Sequence, residues 1–192
     1  MSETPLATVD QLASYLQQPL ASGDPSATLM LSIASAMVRD YLQQEILAVA
    51  GDVALLDPIN GAYVVLPEAP VTAVSLVETY DATLATPGWV TMDPTSYTVS
   101  KRLGMIAALP QTGVIWPTDP ETWRVTYDHG FSACPDGLAG VVLGVAARTY
   151  STPAGAESER IGGYQVKYAM QADGFNPLEK VVLERYRLGR IG

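Results

Sequence analysis

The segment WRVTYDHGF, residues 123–131, has the pattern of a β-strand and opens the part of the chain that decides the fold. A turn follows at Pro135-Asp136-Gly137, and an apolar helix is predicted from about Leu138 to Tyr150. Next come a loop at residues 152–159, a strand-like run from Ile161 to Tyr168, and a short helix with Arg185-Tyr186-Arg187 near its end. We expect Asn176 to cap this helix and Gly189 to end it, with Leu178, Val181, Val182, Arg185 and Tyr186 on one side. None of these segments has a pattern typical of catalysis, so their order predicts packing and docking.

The first 50 residues predict two helices. Thr8 and Gln11 form a capping box that starts a short helix. Asp24-Pro25 caps and opens a second helix, which we expect to run to about Ile46. Its apolar stripe is predicted at Leu29, Ile33, Met37 and Tyr41, broadened by Met30, Ala34, Val38 and Leu42. Its solvent-facing side is predicted at Arg39, Asp40, Gln43 and Gln44.

The middle of the chain, residues 53–127, predicts short strands separated by turn residues. Asn60-Gly61 predicts a hairpin between the strands Val53–Asp57 and Ala62–Leu66. Further strands are predicted at Val71–Tyr80, Trp89–Met92, Tyr97–Ser100 and Met105–Ala108. The predicted fold class is therefore α+β: a small helical bundle with a β-rich middle insertion and a C-terminal strand-helix arm.

Charge is spread unevenly over the 192 residues, which carry a net charge of −9. Residues 1–159 hold 5 basic and 17 acidic side chains, whereas residues 160–192 hold 6 basic and 3 acidic ones. Specific binding to nucleic acid needs clustered lysine and arginine, so the acidic balance argues against it. An acidic wall suits a conduit that DNA passes through without being gripped.

The segment order resembles that of the head-to-tail adaptors of long-tailed bacteriophages, also called head-completion or connector proteins. The matching residues fall in three groups that follow one another along the chain: Trp123, Val125, Tyr127, Gly130 and Phe131; Ile161, Gly162, Tyr164, Val166 and Tyr168; Leu183, Arg185, Tyr186 and Arg187. The segment Leu66–Val71, which opens the β-rich middle, also fits the family.

This resemblance implies a single adaptor domain over residues 1–192, with N-terminal helices at 1–50, a β-rich middle at 53–127 and an arm at 135–192. It implies a structural virion protein that forms a ring of about twelve copies beneath the portal, since closed rings have cyclic symmetry. The ring would extend the DNA channel and join head to tail. Its partners would be other copies of itself, the portal protein and the next neck or tail protein, in a virion neck assembled in the host cytoplasm.

The C-terminal arginines have two interpretations. Cations near a helix C-terminus favour the helix dipole. The resemblance favours docking on the portal, through the residues Arg185, Tyr186, Arg187, Leu188, Arg190 and Ile191.

Two further features keep alternatives open. Gly140 and Gly144 lie on one side of the predicted helix, which indicates close packing against either this protein's own sheet or a neighbouring subunit. The resemblance places the loop with Glu157 and Glu159 near the channel, although a plain solvated loop is equally consistent with its composition.

Enzymatic, metal and membrane roles find little support in the sequence. His129 and Cys134 are the only histidine and cysteine, and a thiol–imidazole pair needs a third, orienting group. A structural zinc site needs about four such ligands. We expect no enzyme activity, no cofactor, no signal peptide and no membrane span. The alternatives are a tail-completion or stopper neck protein and a small hydrolase or ligand-binding protein.

Overall fold

A computed structural model describes residues 4–60, 62–151, 158–161, 164–167 and 174–188. The chain divides into two compact units. The helical unit comprises residues 1–43 and 134–192, and the β unit comprises residues 44–133. The fold is α+β with a strand-rich middle and a C-terminal helix, which confirms the predicted fold class.

The described part of the helical unit contains four α-helices and a two-stranded antiparallel sheet. These elements are α1 (Val9–Leu16), α2 (Pro25–Leu42), α3 (Asp136–Ser151), α4 (Pro177–Glu184), β8 (Ser158–Ile161) and β9 (Tyr164–Lys167). The helix α3 contacts α1, α2 and α4. It is buried along most of its length, as its apolar composition predicted.

The helix starts confirm the sequence analysis. Gln11 donates its backbone amide to the Thr8 hydroxyl and accepts from the Thr8 amide, which completes the predicted capping box. Asp24 caps α2 by accepting from the amide of Ala27. Each cap satisfies amides that the first turn of a helix leaves without partners.

The predicted end of α2 and half of its predicted stripe were wrong, whereas Ala34, Val38 and Leu42 of that stripe are buried as expected. The helix ends at Leu42 because Gln43 adopts a left-handed conformation with φ 57°. The buried side consists of Ala27, Leu31, Ala34, Ser35, Val38, Arg39 and Leu42. Leu29 and Ile33, placed in the predicted stripe, are exposed, and Arg39 is buried where its guanidinium donates to the Thr4 carbonyl. The helix is apolar on two sides, so its periodicity alone could not choose between them.

The β unit contains two antiparallel sheets that share one core. The four-stranded sheet has the order β1 (Val49–Leu56), β7 (Trp123–His129), β3 (Val71–Asp81), β4 (Gly88–Thr91). The three-stranded sheet has the order β2 (Tyr63–Val65), β6 (Met105–Ala108), β5 (Tyr97–Ser100). The strand β7 alternates strictly between buried and half-buried residues, with Trp123, Val125 and Tyr127 in the core.

The hairpin predicted at Asn60-Gly61 was wrong as a strand pairing. The strand β1 pairs with β7, and β2 pairs with β6. A tight turn does form, because Ile59 bridges to Tyr63 and Asn60 has φ 51°. A turn signal is local and reports a reversal of the chain, whereas strand partners depend on the shared core.

The structure has two short strands where the sequence predicted one strand at Ile161–Tyr168. These strands, β8 and β9, pair antiparallel, so residues 158 and 159 of the predicted loop belong to a strand. The helix α4 ends at Glu184, before the predicted stop at Gly189, and Gly189 lies outside the described residues.

Candidate docking site on the C-terminal arm

The start of α4 is fixed to the helical unit by a buried aromatic residue and a glycine. Phe175 is buried, and its ring meets that of Tyr41 edge-on at 5.5 Å between centroids. Gly174 has φ 76°, and a Cβ there would lie 2.4 Å from the Cε of Met37. Only glycine fits this backbone conformation and this space.

A buried carboxylate holds the first turn of α4 to α3. Glu179 accepts from Nη1 of Arg148 at 2.7 Å and from Nη2 at 3.0 Å. The same carboxylate accepts from the Asn176 amide, while the Asn176 side chain accepts from the Glu179 amide. Arg148 also donates to the Gly174 carbonyl. A bidentate pair of this kind fixes orientation as well as distance, so the arm leaves α3 in a defined direction.

The end of α4 is linked to α2 through an exposed network. Tyr41 donates its hydroxyl to Glu184 at 2.7 Å, and Arg187 donates to the same Glu184 oxygen at 3.3 Å. The Arg187 guanidinium lies over the Tyr41 ring, 5.8 Å from its centroid. The hydrogen bond from Tyr41 lowers the pKa of Glu184, and donating that bond to the carboxylate raises the pKa of Tyr41.

The predicted docking residues fall in different environments. Arg185 and Arg187 are exposed, whereas Tyr186 and Leu188 are half-buried. The Tyr186 hydroxyl lies 3.7 Å from where a Cβ on Gly137 would be, so this side chain packs at the start of α3. Arg190 and Ile191 lie outside the described residues.

Two of the apolar side chains that the sequence placed on one side of α4 face outward. Leu178 is 79% exposed and Val181 is 56% exposed, while Leu183 on the opposite side is fully buried. Apolar residues on both sides of such a short helix indicate in the sequence that one of the two sides is exposed. Together with Arg185 and Arg187 they give the arm an outward surface that is both apolar and basic.

The two glycines of α3 differ. Gly144 is buried, and a Cβ there would lie 2.9 Å from Oε1 of Glu179, so α4 of the same chain packs over it. Gly140 is exposed, and an added Cβ would meet nothing within 4 Å. Of the acidic loop, Glu157 lies outside the described residues, and the structure describes only the backbone of Glu159, in β8.

His129 and Cys134 do not have the surroundings of a nucleophilic pair. His129 is buried with Nε2 3.3 Å from an Asp52 oxygen, and its ring lies 5.1 Å from that of Tyr127. Burial raises the pKa of the Cys134 thiol to about 11, so this group is protonated at neutral pH. Within the described residues, no group of three or more histidine, cysteine, aspartate or glutamate side chains could hold a metal ion.

No helix in the described parts of the chain is both long and apolar enough to cross a bilayer.

Comparison with known proteins gives a likeness of fold. No family model and no curated protein matches the chain. A chain of the neck of the native GTA particle, computed with C12 symmetry, matches with TM-score 0.59 at 21% identity, over 100% of this chain and 96% of that one. A chain of the neck of the empty GTA particle, computed with C6 symmetry, matches with TM-score 0.58 at 20% identity over the same shares. A chain of the virion of the native gene transfer agent (GTA) particle matches with TM-score 0.52 at 22% identity, over 97% and 92% of the two chains. The chain thus shares the fold of these particle proteins along its whole length.

Proposed function

We propose that this chain is a structural protein of the neck of a phage-like particle, where it forms a ring that extends the DNA channel and joins head to tail. The observation that carries this proposal is the full-length likeness of fold to chains of gene transfer agent necks. A match over nearly the whole of both chains supports a shared architectural role better than a match of one unit would. It agrees with the resemblance that the segment order suggested.

Ring formation is supported by the symmetry of the similar structures. Their necks are computed with C6 and C12 symmetry, and a closed cyclic ring needs many copies of a chain. We propose a ring of about twelve copies, a number compatible with both symmetries because twelve is a multiple of six. The net charge of −9 per copy suits a channel that DNA passes through without specific binding.

Portal docking is the role proposed for the arm. The buried Glu179–Arg148 pair sets the direction of α4, and Leu178, Val181, Arg185 and Arg187 are directed outward. A rigid element that presents apolar and arginine side chains together is typical of a protein interface. The partner surface would therefore be apolar with acidic residues at its edge.

A structural role is also supported by the environment of the most reactive side chain. A protonated, half-buried Cys134 is a poor nucleophile. This favours the neck protein over the small hydrolase among the alternatives.

The proposal is tested by deleting the gene in cells that make the particle and imaging the products by electron microscopy. We expect filled heads and complete tails that are not joined, and joining restored by the wild-type chain. Wild-type particles should carry the chain at the neck, as antibody labelling would report. Joined particles from the deletion strain, or a chain absent from particles, would contradict the proposal.

The arm is tested in the same assay with Arg185→Ala/Arg187→Ala. We expect fewer joined particles and attachment that weakens with rising ionic strength, since exposed charges are screened by salt. The matched control is Lys101→Ala/Arg102→Ala, which removes two adjacent exposed cations from the β unit. Equal effects of the two double variants would mean that general charge, and not the arm, matters for attachment.

A further inference from the structure

The outward side of α2 carries exposed apolar residues and has no charge before Asp40. Leu29 is 54% exposed and Ile33 is 42% exposed, and Ala36 continues the same side of the helix. From Pro25 to Val38 the helix contains no charged residue, and Asp40 is the first exposed charge. A helix that faces water normally carries charged residues on that side, so this surface has the composition of an interface. We call Leu29, Ile33 and Ala36 the helix patch.

The outer face of the four-stranded sheet has a second such surface. Val53 is 56% exposed and Leu55 is 49% exposed, both on the strand β1 at the edge of the sheet. A solvent-facing antiparallel sheet usually carries polar residues at these positions. We call Val53 and Leu55, with the exposed Tyr80 on β3, the sheet patch.

Few charges lie around the sheet patch, and two of them form an ion pair. Leu55 is opposite Arg124, which donates to both oxygens of Glu78 at 2.7 and 2.8 Å. The Arg124 guanidinium also lies over the Trp89 ring, 4.4 Å from its centroid, and Trp89 in turn meets Tyr80 edge-on. Asp128 is at the other end of β7, where it accepts from the Gly51 amide. The surface around Val53 and Leu55 is therefore largely apolar, with one neutral ion pair and a single negative charge, Asp128, at its end.

These two patches fit another copy of the chain better than other partners. Copies that each carry a charge of −9 repel one another, so contact between them is favoured through apolar faces that carry few charges. A surface that binds DNA would carry clustered cations, and a surface that binds a basic protein would be acidic. Neither patch has such a composition. A cyclic ring also needs two different, complementary patches on each copy.

We propose that the helix patch of one copy packs against the sheet patch of the next copy, as the repeating contact of the ring. This inference rests on the proposed function for the ring and goes beyond it by naming both surfaces. The contact is heterologous, so each copy uses one patch on each side and the pattern repeats around the ring.

The test measures self-association by sedimentation velocity over rising protein concentration. Wild type is expected to associate with concentration. Ile33→Glu and Leu55→Glu each place a charge in one patch and should weaken association roughly 30-fold or more, since central apolar contacts dominate interfaces. Gln18→Glu and Thr98→Glu are matched controls, because they add the same charge at exposed polar positions and should associate as wild type does.

Mixing the two patch variants tests the head-to-tail arrangement. Ile33→Glu copies keep the sheet patch and Leu55→Glu copies keep the helix patch, so the mixture should form dimers and nothing larger. A wild type that stays monomeric, a patch variant that associates normally, or a mixture that stays monomeric would each overturn the proposal. Antibody labelling of particles tests the proposed function separately from the patches. If the chain is found at the neck but the patch variants associate as wild type does, only the two patches are refuted. If the chain associates head to tail but is missing from necks, only the proposed function is refuted.

Discussion

The two units achieve their packing by different means. The core of the β unit is built from large side chains, with Trp116 stacked on Trp123 at 4.3 Å between centroids. The helical unit packs small residues such as Ala34 and Ala146 and holds its arm with a buried ion pair. The β unit is therefore stabilised mainly by strand pairing over long sequence distances around a core of large side chains. The helical unit is stabilised by the close approach of its helices and by a few polar contacts.

The units can also be followed separately in solution. All three tryptophans, Trp89, Trp116 and Trp123, lie in the β unit, so their fluorescence reports on that unit. Far-ultraviolet circular dichroism is dominated by helices and reports mainly on the helical unit. Each variant below is measured by both signals in urea unfolding.

The largest effect is expected for Gly130→Ala in the β unit. Gly130 has φ 86°, and a Cβ there would lie 2.3 Å from the Leu47 carbonyl oxygen, a backbone atom that cannot move aside cheaply. We expect the free energy of unfolding, followed by tryptophan fluorescence, to fall by at least ~3 kcal/mol. Gly51→Ala is the control, because φ is 66° there and nothing lies within 4 Å. It should cost only ~1 kcal/mol from the strained backbone.

A smaller loss is expected for Glu179→Gln in the helical unit. The substitution replaces the carboxylate of this part-buried pair by a neutral amide that cannot accept both bonds from Arg148, which should cost about 1 kcal/mol. Circular dichroism should report it while tryptophan fluorescence changes little. Glu184→Gln breaks an exposed network and should have a much smaller effect. Equal losses would mean that the buried pair does not hold the arm.

The two glycines of α3 should respond with opposite signs. Gly144→Ala forces its Cβ against the Glu179 carboxylate, which Arg148 holds in place, and should cost roughly 1–2 kcal/mol. Gly140→Ala meets open space and should stabilise the helix by up to ~1 kcal/mol. If Gly140→Ala is stable but impairs ring formation, the predicted subunit contact at Gly140 gains support. If Gly140→Ala forms rings normally, the predicted subunit contact at Gly140 is wrong.

The smallest expected effect is on how the free energy of unfolding changes in acid. The hydrogen bonds from Arg124 lower the pKa of Glu78, so the folded protein binds fewer protons there than the unfolded chain. This contribution to stability is present above the ordinary glutamate pKa of 4.5 and is lost as the pH falls through the lowered value. Glu78→Gln should therefore be less stable than wild type near neutral pH, and the difference should narrow in acid.

Glu68 serves as the control of opposite sign. Burial raises the pKa of Glu68, so its contribution is present below 4.5 and is lost as the pH rises through the raised value. Relative to wild type, Glu68→Gln should become more favourable as the pH rises. The same slope for both variants would contradict the assigned causes.

Local signals in the sequence predicted well. The caps at Thr8, Asp24 and Asn176 are present, and the strands Tyr97–Ser100 and Met105–Ala108 have the predicted bounds. These features depend on hydrogen bonds or alternation within a few residues, which a linear reading contains. The docking role of the arm and the channel role of its preceding loop stay predictions.

Long-range features did not follow from the sequence. The turn at Asn60 formed, yet β1 paired with β7 from the far end of the unit. The sequence placed Leu178 and Val181 on one side of α4, but only the structure shows that this side faces outward.

The sequence by itself determined the kinds of elements, their caps and the order of helices and strands. The tertiary structure decided which side of α2 faces the core, which strands pair, and that Glu179 and Arg148 meet. The physical reason is one of range: caps and periodicity are satisfied within one or two turns of the chain, while pairing and burial are chosen among surfaces that only folding brings together.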